Sequence, residues 1–381
     1  MSEALPAHGD PLERIPLARP GVADPAAVAR DVQAIVESGV LTNGPYVREL
    51  ERRAAGYLGV RHCVAVASCT SGLMLVLRAA DLVGDVIVPS FTFAATVHAV
   101  AWNGLRPIFA DVDPETLTLD PDAVRRAIGM RTSAIVATHI YGTPANVDAL
   151  TSIAGDNGIR LFFDAAHAFG SRHGSAMIGG FGDAEVFSLS PTKVVVAAEG
   201  GIIATDDDLI AERCRIGRDY GNPGDYDCRF IGLNARMSEL HAALALASLD
   251  DLDQRLEERN DLARAYREAI GRTFGIGFPL VRSGDRSTYK DMTVLVHPEI
   301  TGLNADDLSL ALRAVGIETR RYYDPPVHRM RSYRFLRGAS QALPVTDFAA
   351  GRALSLPLWT GMGSNEIERI ASVVGRFVSA P

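Results

Sequence analysis

The chain has 381 residues, of which 47% are hydrophobic and 22% are charged, a composition typical of a globular protein with one large and one smaller domain. Its formal net charge of −8 argues against nucleic acid or an anionic membrane as a partner. Residues 1–14 lack the cationic head and apolar run of a secretory leader, and charged residues interrupt every apolar segment short of membrane-spanning length, so we expect a cytoplasmic protein.

Short β-rich runs alternate with helical segments between residues 62 and 205. Strands are predicted at residues 62–67, 85–89, 107–111, 133–139, 160–164, 184–190 and 201–205. Helical stretches fall between several of them, such as residues 71–81, 92–103 and 146–157. Near-continuous apolar strands with crossover helices predict an α/β fold with a mostly parallel seven-stranded sheet between helices.

The remainder of the chain predicts a smaller α/β C-terminal domain. A long helical pattern covers residues 237–270 and is followed by a strand (292–297), a helix (305–315), a strand (318–322) and a last helix (365–378). We place the domain boundary inside the long helix. This predicts a large domain at residues 1–250, including an N-terminal arm, and a small domain at residues 251–381.

Lysine is almost absent from the chain. Of the 38 basic residues, only Lys193 and Lys290 are lysines, and the others are arginines. Lysine can lose its proton once it is desolvated, whereas arginine cannot, so a retained lysine is a candidate for amine chemistry. For Lys290 we expect accidental retention. The four cysteines form no CxxC pair and fit no zinc spacing, which predicts reduced thiols and no metal site.

Three segments fall just past the carboxyl ends of predicted strands, where parallel sheets bind their ligands. The first is residues 68–72 (Ser-Cys-Thr-Ser-Gly), between a strand and a helix. Small hydroxyl residues there leave free backbone N–H groups at a helix N-terminus, which is a ready anion site. A plain N-cap made by Thr70 or Ser71 would explain this segment equally well.

The second segment ends the apolar strand at Asp164. A carboxylate at this position is costly to bury unless it meets a cation, such as the protonated nitrogen of a pyridine ring. His167, three residues later, is placed to hydrogen-bond a phenolic oxygen of such a ring or to pack against it. The alternative is a buried aspartate that caps a loop.

The third segment, residues 187–201, contains Lys193 among apolar neighbours. Such surroundings lower the pKa of a lysine and make its amine a nucleophile toward an aldehyde. Ser188 is placed to contact a phosphate group. Phe93, after the second strand, is placed to stack on a ligand ring, although an ordinary core phenylalanine is the alternative.

In this order the segments resemble the sugar aminotransferases of the DegT/StrS family, which belong to the aspartate aminotransferase superfamily. The resemblance extends from residues 41–45 (Leu-Thr-Asn-Gly-Pro) to residues 354–358 (Leu-Ser-Leu-Pro-Leu). It includes residues 111–114 (Asp-Val-Asp-Pro), 141–145 (Tyr-Gly-Thr-Pro-Ala) and 199–201 (Glu-Gly-Gly). It implies a fold type I enzyme that depends on pyridoxal 5'-phosphate (PLP).

The resemblance also implies roles for individual residues. Lys193 would hold PLP as a Schiff base, Asp164 would pair with its pyridine nitrogen, and His167 would lie beside its phenolic oxygen. Phe93 would stack on the ring. The residues that would hold the phosphate are Thr70, Ser71, Ser188 and, from the neighbouring subunit of a homodimer with shared active sites, Asn234.

Substrate residues are implied in the same way. Residues 322–328 (Tyr-Tyr-Asp-Pro-Pro-Val-His) resemble the family's substrate loop, which includes Tyr322, with Tyr323 and His328 at its marked positions. Residues 232–237 resemble the loop that reaches into the neighbouring subunit, called the partner loop below. A diphosphate needs cations, and arginines cluster near the two loops: Arg229, Arg236, Arg320 and Arg321. The alternative is that these arginines are ordinary solvated surface residues. Ser190, Val194 and Ala235 depart from residues common in the family, but none of them removes a PLP anchor.

The predicted reaction moves an amino group from an amino acid, glutamate by resemblance, to a nucleotide-linked keto-deoxysugar. Residues 220–227 and the Tyr323 loop resemble enzymes that aminate C4 of 4-keto-6-deoxy sugars in antibiotic pathways. Amination at C3 is the alternative. PLP dehydratases of similar sugars resemble these sequences with histidine in place of the lysine, so Lys193 argues against them. The chain has no G-x-G-x-x-G loop after a strand and no P-loop. A non-catalytic, ligand-sensing relative is the other class considered.

Overall fold

The computed structural model describes residues 14–21, 24–334 and 342–378. The segment for which we predict no secretory leader, residues 1–14, therefore lies outside the described residues except for Arg14. Within the described ranges, no helix combines the length and the apolar character needed to cross a membrane.

The first nine strands lie in the N-terminal two thirds of the chain. They are β1 (His62–Val66), β2 (Asp85–Pro89), β3 (Arg106–Ala110), β4 (Thr132–Thr138), β5 (Arg160–Asp164), β6 (Arg172–His173), β7 (Ala176–Met177), β8 (Ala184–Ser188) and β9 (Gly201–Thr205). In the described part of the chain, seven of them form one sheet in the order β1-β9-β8-β5-β4-β2-β3. β9 is antiparallel to both of its neighbours, and the other pairs are parallel. The predicted mostly parallel seven-stranded sheet is confirmed.

The sheet is buried on both faces because its strands are apolar at successive positions. Phe163 and Phe187 point into one hydrophobic cluster, and Phe162 and Val186 point into the other. The helices of this region are α1 (Pro25–Ser38), α2 (Pro45–Leu58), α3 (Cys69–Ala79), α4 (Ala94–Trp102), α5 (Pro121–Ala127), α6 (Val147–Asn157), α7 (Asp208–Gly217) and α8 (Glu239–Leu249). The connection from β5 to β8 contains the hairpin β6–β7.

The single long helix predicted at residues 237–270 is wrong. The structure has two helices there, α8 and α9 (Leu252–Ile270), separated at Asp250 and Asp251. The carboxylate of Asp251 accepts a hydrogen bond from Arg255 Nε at 2.7 Å. Asp251 makes no capping hydrogen bond to the backbone of α9, but aspartate is a poor helix former, and two in succession favour a break that the Ala- and Leu-rich pattern does not show.

A second sheet lies in the C-terminal part of the chain. Its strands are β10 (Ile276–Gly277), β11 (Met292–Val296) and β12 (Ala353–Leu356), all antiparallel. The helices of this part that follow α9 are α10 (Pro298–Thr301), α11 (Ala305–Ala314), α12 (Pro344–Arg352) and α13 (Ser364–Val378). Helices α9, α11 and α13 pack with this sheet around a third hydrophobic cluster. The domain boundary at residue 250 stays a prediction.

The strand predicted at residues 318–322 is also wrong. Only isolated bridges occur there, between Ile317 and Ile15 and between Arg320 and Ser355. Pairing stops because Arg321 turns its guanidinium onto the carbonyl oxygens of Ala350 and Ala353, at 2.9 Å each. The chain then continues directly into the loop that contains Tyr322.

Candidate active site

A cavity of about 320 Å³ opens where β1, β5 and β8 end. The position agrees with the rule that open α/β sheets bind ligands beyond the carboxyl ends of their strands. The residues that line it are Ser68, Cys69, Thr70, Phe93, Ala95, Asp164, Ala166, His167, Ser188, Ser190, Thr192, Lys193, Glu199, Gly200, Lys290, Tyr322 and Tyr323.

The start of α3 forms one wall of this cavity. Ser68 is the N-cap: its Oγ accepts from the N–H of Ser71 at 3.1 Å, and Ser71 Oγ interacts in return with the N–H of Ser68 at 3.2 Å. The cap is therefore Ser68, not Thr70 or Ser71. The first N–H groups of a helix lack intrahelical partners, and those of Cys69 and Thr70 belong to cavity-lining residues. Ser71 does not line the cavity, because its hydroxyl serves the cap.

Two neighbouring features complete an anion site at this wall. Ser188, the last residue of β8, brings its hydroxyl to the cavity. Gly201, the first residue of β9, passes the start of α3 so closely that an added Cβ would lie 2.7 Å from the backbone nitrogen of Cys69. Only glycine permits this approach, which keeps the helix start at the end of the sheet. The hydroxyls of Ser188 and Thr70 and the helix N–H groups together suit a phosphate.

Asp164 ends β5 inside the cavity and is 3% exposed. Thr96 Oγ1 donates to its Oδ2 at 2.6 Å, and the N–H of Ala166 donates to its Oδ1 at 3.1 Å. Burial raises the pKa of Asp164, and these two donors oppose that rise. Both donors are neutral, so the carboxylate is positioned but its charge is not balanced by them. A cationic ring nitrogen would balance it.

Thr96 is a site residue that the sequence analysis missed. It is the third residue of α4, and its hydroxyl also hydrogen-bonds that of Thr92 at 2.8 Å. No local sequence pattern pairs Thr96 with Asp164, because this contact joins α4 to the end of β5.

Lys193 lies in the loop between β8 and β9, where its N–H donates to Ser190 O at 3.0 Å. The valines that follow it are buried, as the sequence predicts. Burial and, to a smaller extent, the positive charge of Lys290 lower the pKa of Lys193 to about 8. About a tenth of the amine is therefore neutral at pH 7, far more than for an unperturbed lysine, and the neutral form is the one a nucleophile requires.

His167 and Phe93 both line the cavity. His167 is buried, and its Nδ1 accepts from the N–H of Tyr141 at 3.2 Å. Burial lowers its pKa well below the usual value, so the ring is neutral and its Nε2 carries the proton. Phe93 is 61% exposed, which excludes the core role considered for it and leaves its ring face available for stacking.

The predicted substrate loop divides into two parts. Tyr322 and Tyr323 line the cavity, and the ring of Tyr323 lies 6.4 Å from that of Phe93. His328 does not line it. This side chain is buried, with Nδ1 2.6 Å from Ser90 Oγ and Nε2 accepting from Arg329 Nε at 3.0 Å, so its contacts hold the loop onto the sheet.

The predicted diphosphate and partner-loop residues lie outside this cavity. Asn234 is exposed, and Arg236 pairs with Asp219 at 3.2 Å. Arg229 forms ion pairs with Asp225 and Asp227 of its own loop. Arg320 is exposed, and Arg321 pairs with Asp306 and, at 3.1 Å, with Asp324.

Lys290 was expected to be an accidental survivor, but the structure places it in the cavity. The side chain is buried, lines the cavity, and its Nζ lies 2.7 Å from Asp291 Oδ1 and 5.3 Å from the centre of the Tyr322 ring. Both lysines of the chain therefore line one cavity. The scarcity of lysine in this arginine-rich chain was the sequence feature that could have marked both Lys193 and Lys290 as cavity residues.

PLP fits this arrangement. Its phosphate would meet the helix start and Ser188, its ring would lie between Phe93 and the loop of Asp164 and His167, and its aldehyde carbon would meet Lys193. A buried carboxylate held by neutral donors and a lysine with a depressed pKa are the groups that the cofactor's nitrogen and aldehyde require. The fold and the cavity thus define a fold type I PLP-dependent enzyme.

Comparison with known proteins narrows this class. The family model of the DegT/DnrJ/EryC1/StrS aminotransferases matches residues 24–375. The spore coat polysaccharide biosynthesis protein SpsC of Bacillus subtilis is 32% identical over 365 residues, 92% of this chain and 94% of that protein. The crystal structure of DesI with its TDP-sugar product is 39% identical with a TM-score of 0.92, covering 98% of this chain and 95% of that one. That of S. venezuelae DesV is 30% identical with a TM-score of 0.90, covering 97% and 99%.

The chain belongs to the DegT/DnrJ/EryC1/StrS aminotransferase family. It is a PLP-dependent sugar aminotransferase, as the sequence predicts.

Proposed function

We propose that this protein transfers an amino group from glutamate to C4 of a nucleotide-linked 4-keto-6-deoxyhexose in deoxysugar biosynthesis, as used for antibiotics. The observation that carries the nucleotide-sugar substrate is the similarity over nearly the whole chain to DesI, whose structure contains its TDP-sugar product. The choice of C4 rests on the resemblance of residues 220–227 and of the Tyr323 loop to C4 aminotransferases.

The residues of the cavity divide the chemistry between them. When bound, PLP supplies an electron sink for negative charge on the carbon next to the transferred nitrogen. Asp164 keeps a proton on the ring nitrogen by its negative charge, and Thr96 holds that carboxylate in place. Lys193 Nζ, with its lowered pKa, takes the proton from the donor's α-carbon and delivers it during amino transfer.

The sugar is assigned to the outer part of the cavity. Tyr322 and Tyr323 would contact it, since both line the cavity beside Phe93. Asn234, Arg229 and Arg236 belong to the exposed region around residues 219–236 and would serve the site of a second copy of the chain. The homodimer with shared sites, the substrate role of His328 and the cytoplasmic location stay predictions.

The direct test supplies TDP-4-keto-6-deoxyglucose and glutamate to the holoenzyme and identifies the product by mass spectrometry and NMR. The 4-amino sugar is expected. Preferential amination of the 3-keto isomer, or amination of simple keto acids with no need for the nucleotide, would contradict the proposal. If the visible absorbance of the holoenzyme did not change when an amino donor was added, the result would instead support the alternative interpretation of a non-catalytic, ligand-sensing protein.

A further inference from the structure

Lys290 is the feature of the cavity for which the proposed function has not yet given a role. It lies two residues before β11 of the second sheet, so it reaches the cavity from the part of the chain that does not carry Lys193 or Asp164. Its N–H donates to Tyr141 O at 2.9 Å, which ties its backbone to the loop after β4.

The backbone around Lys290 is held by a buried arginine of α9. Arg259 Nη2 donates to the carbonyl oxygens of Tyr289 at 2.6 Å and Lys290 at 3.1 Å, and its Nε donates to Thr288 O at 3.1 Å. Burying a guanidinium is costly, and here burial lowers the pKa of Arg259 to about 10. These contacts fix the backbone at the point from which the Lys290 side chain enters the cavity.

Lys290 differs from the other candidate cations of the cavity. Among the described residues that line the cavity, the candidate cations are Lys193, Lys290 and His167. Lys193 serves in the chemistry with a lowered pKa, and His167 is neutral because burial lowers its pKa. The remaining candidate is Lys290, whose Nζ lies 2.7 Å from Asp291 Oδ1.

The ammonium of Lys290 has capacity for a ligand. It carries three N–H donors, of which one is used at 2.7 Å by Asp291 Oδ1, and the ring of Tyr322 stabilises its charge from 5.3 Å. Any amino-acid donor brings at least one carboxylate into the cavity. A buried carboxylate requires a cation or several hydrogen-bond donors.

We propose that Lys290, held by Asp291 and Tyr322, binds a carboxylate of the amino-acid donor. The assignment rests on the proposed amino transfer and adds the residue that recognises the donor. The hydroxyls and helix N–H groups proposed for the cofactor phosphate lie on α3 and β8, whereas Lys290 belongs to the segment before β11, and we assign it a second anion.

Calorimetric titration of the holoenzyme with glutarate tests this role, because glutarate has the two carboxylates of glutamate and no amino group to react. Lys290→Met should weaken glutarate binding the most, since it leaves the negative charge of Asp291 without a partner. The double variant Lys290→Met/Asp291→Asn removes both charges, so the fold does not have to bury an unpaired carboxylate. It should lower the affinity for glutarate about tenfold or more. Asp291→Asn should bind glutarate more tightly than the wild type.

Arg376→Met is the matched control, because it removes one positive charge from an exposed position of α13 and should leave glutarate affinity unchanged. Circular dichroism and thermal melting establish that each variant is folded. Wild-type glutarate affinity in the folded double variant would overturn the proposal, as would an absence of glutarate binding by the wild type.

Titration with the nucleotide sugar separates this inference from the proposed function. If substitution of Lys290 changed only the affinity for the nucleotide sugar, the donor assignment would be overturned and Lys290 would be a sugar-binding residue. If glutarate affinity follows the expected order but the wild type aminates no nucleotide sugar, the proposed substrate is wrong and the carboxylate site stands.

Discussion

Asp164 and Arg229 are both charged residues with proposed roles, but their surroundings are opposite. Asp164 is 3% exposed and is fixed by Thr96 and a backbone N–H, and those donors leave its charge unbalanced. Arg229 is exposed and already paired with two aspartates of its own loop. Exposed ion pairs contribute little, about 0–1 kcal/mol, whereas an unbalanced buried charge is a strong constraint on what can bind.

The comparison separates a rigid, buried half of the site from an exposed half. In the buried half, each proposed role depends on one fixed side chain, so single substitutions should have large effects. In the exposed region around residues 219–236, effects should be smaller and should depend on a second copy of the chain. The three predictions that follow, from the largest expected effect to the smallest, test this division.

The largest effect is expected at Lys193. Lys193→Ala should lower turnover about 10³-fold or more, because it removes the group that moves the proton. Borohydride reduction of the wild-type holoenzyme, followed by peptide mass spectrometry, should find the cofactor on Lys193. Lys290, the other lysine, provides the internal control, and cofactor fixed on its peptide would disprove the assignment.

Asp164→Asn should reduce turnover about 10²-fold while cofactor binding persists. The amide has nearly the shape of the carboxylate, but it cannot hold a proton on the ring nitrogen by charge. The phosphate contacts at α3 and Ser188 are unchanged. Pre-steady-state absorbance measurements report cofactor retention and the proton-transfer rate separately. Near-normal rates would show that the carboxylate acts elsewhere.

The smallest effect concerns Asn234. If it contacts the cofactor phosphate of a second subunit, mixing a Lys193→Ala protein with a weakened Asn234→Ala protein should restore part of the activity. One site of the mixed dimer then carries both defects and the other carries neither. The recovery is measured against unmixed samples after subunit exchange has been shown by native mass spectrometry. No recovery would place Asn234 in the site of its own subunit.

Much of the buried half could be predicted from the sequence. Asp164 ends an apolar strand and Lys193 follows another, and parallel strands bring their carboxyl ends to one edge of the sheet. The order of polar residues after apolar runs therefore predicts the cavity. Thr96 was missed because a helical threonine gives no sign of its partner until α4 is placed against β5.

The contributions of the second sheet were harder to predict. Lys290 lies far along the chain from Lys193, and no local pattern shows that the segment before β11 lies beside the cavity. His328 is in a loop that resembles a substrate loop, but its ring turns to Ser90 because that hydroxyl lies 2.6 Å away. Contacts between distant segments determine both positions, and periodicity carries no information about them.

The confinement of both lysines to one cavity has a practical consequence for chemical labelling. Apart from the chain's amino terminus, this protein offers amine-directed reagents no side-chain target outside the cavity. Lysine-directed cross-linkers and dyes would therefore report on access to the cavity rather than on surface geometry. Attachment to a support for biophysical work should use another handle, such as the exposed thiol of Cys228.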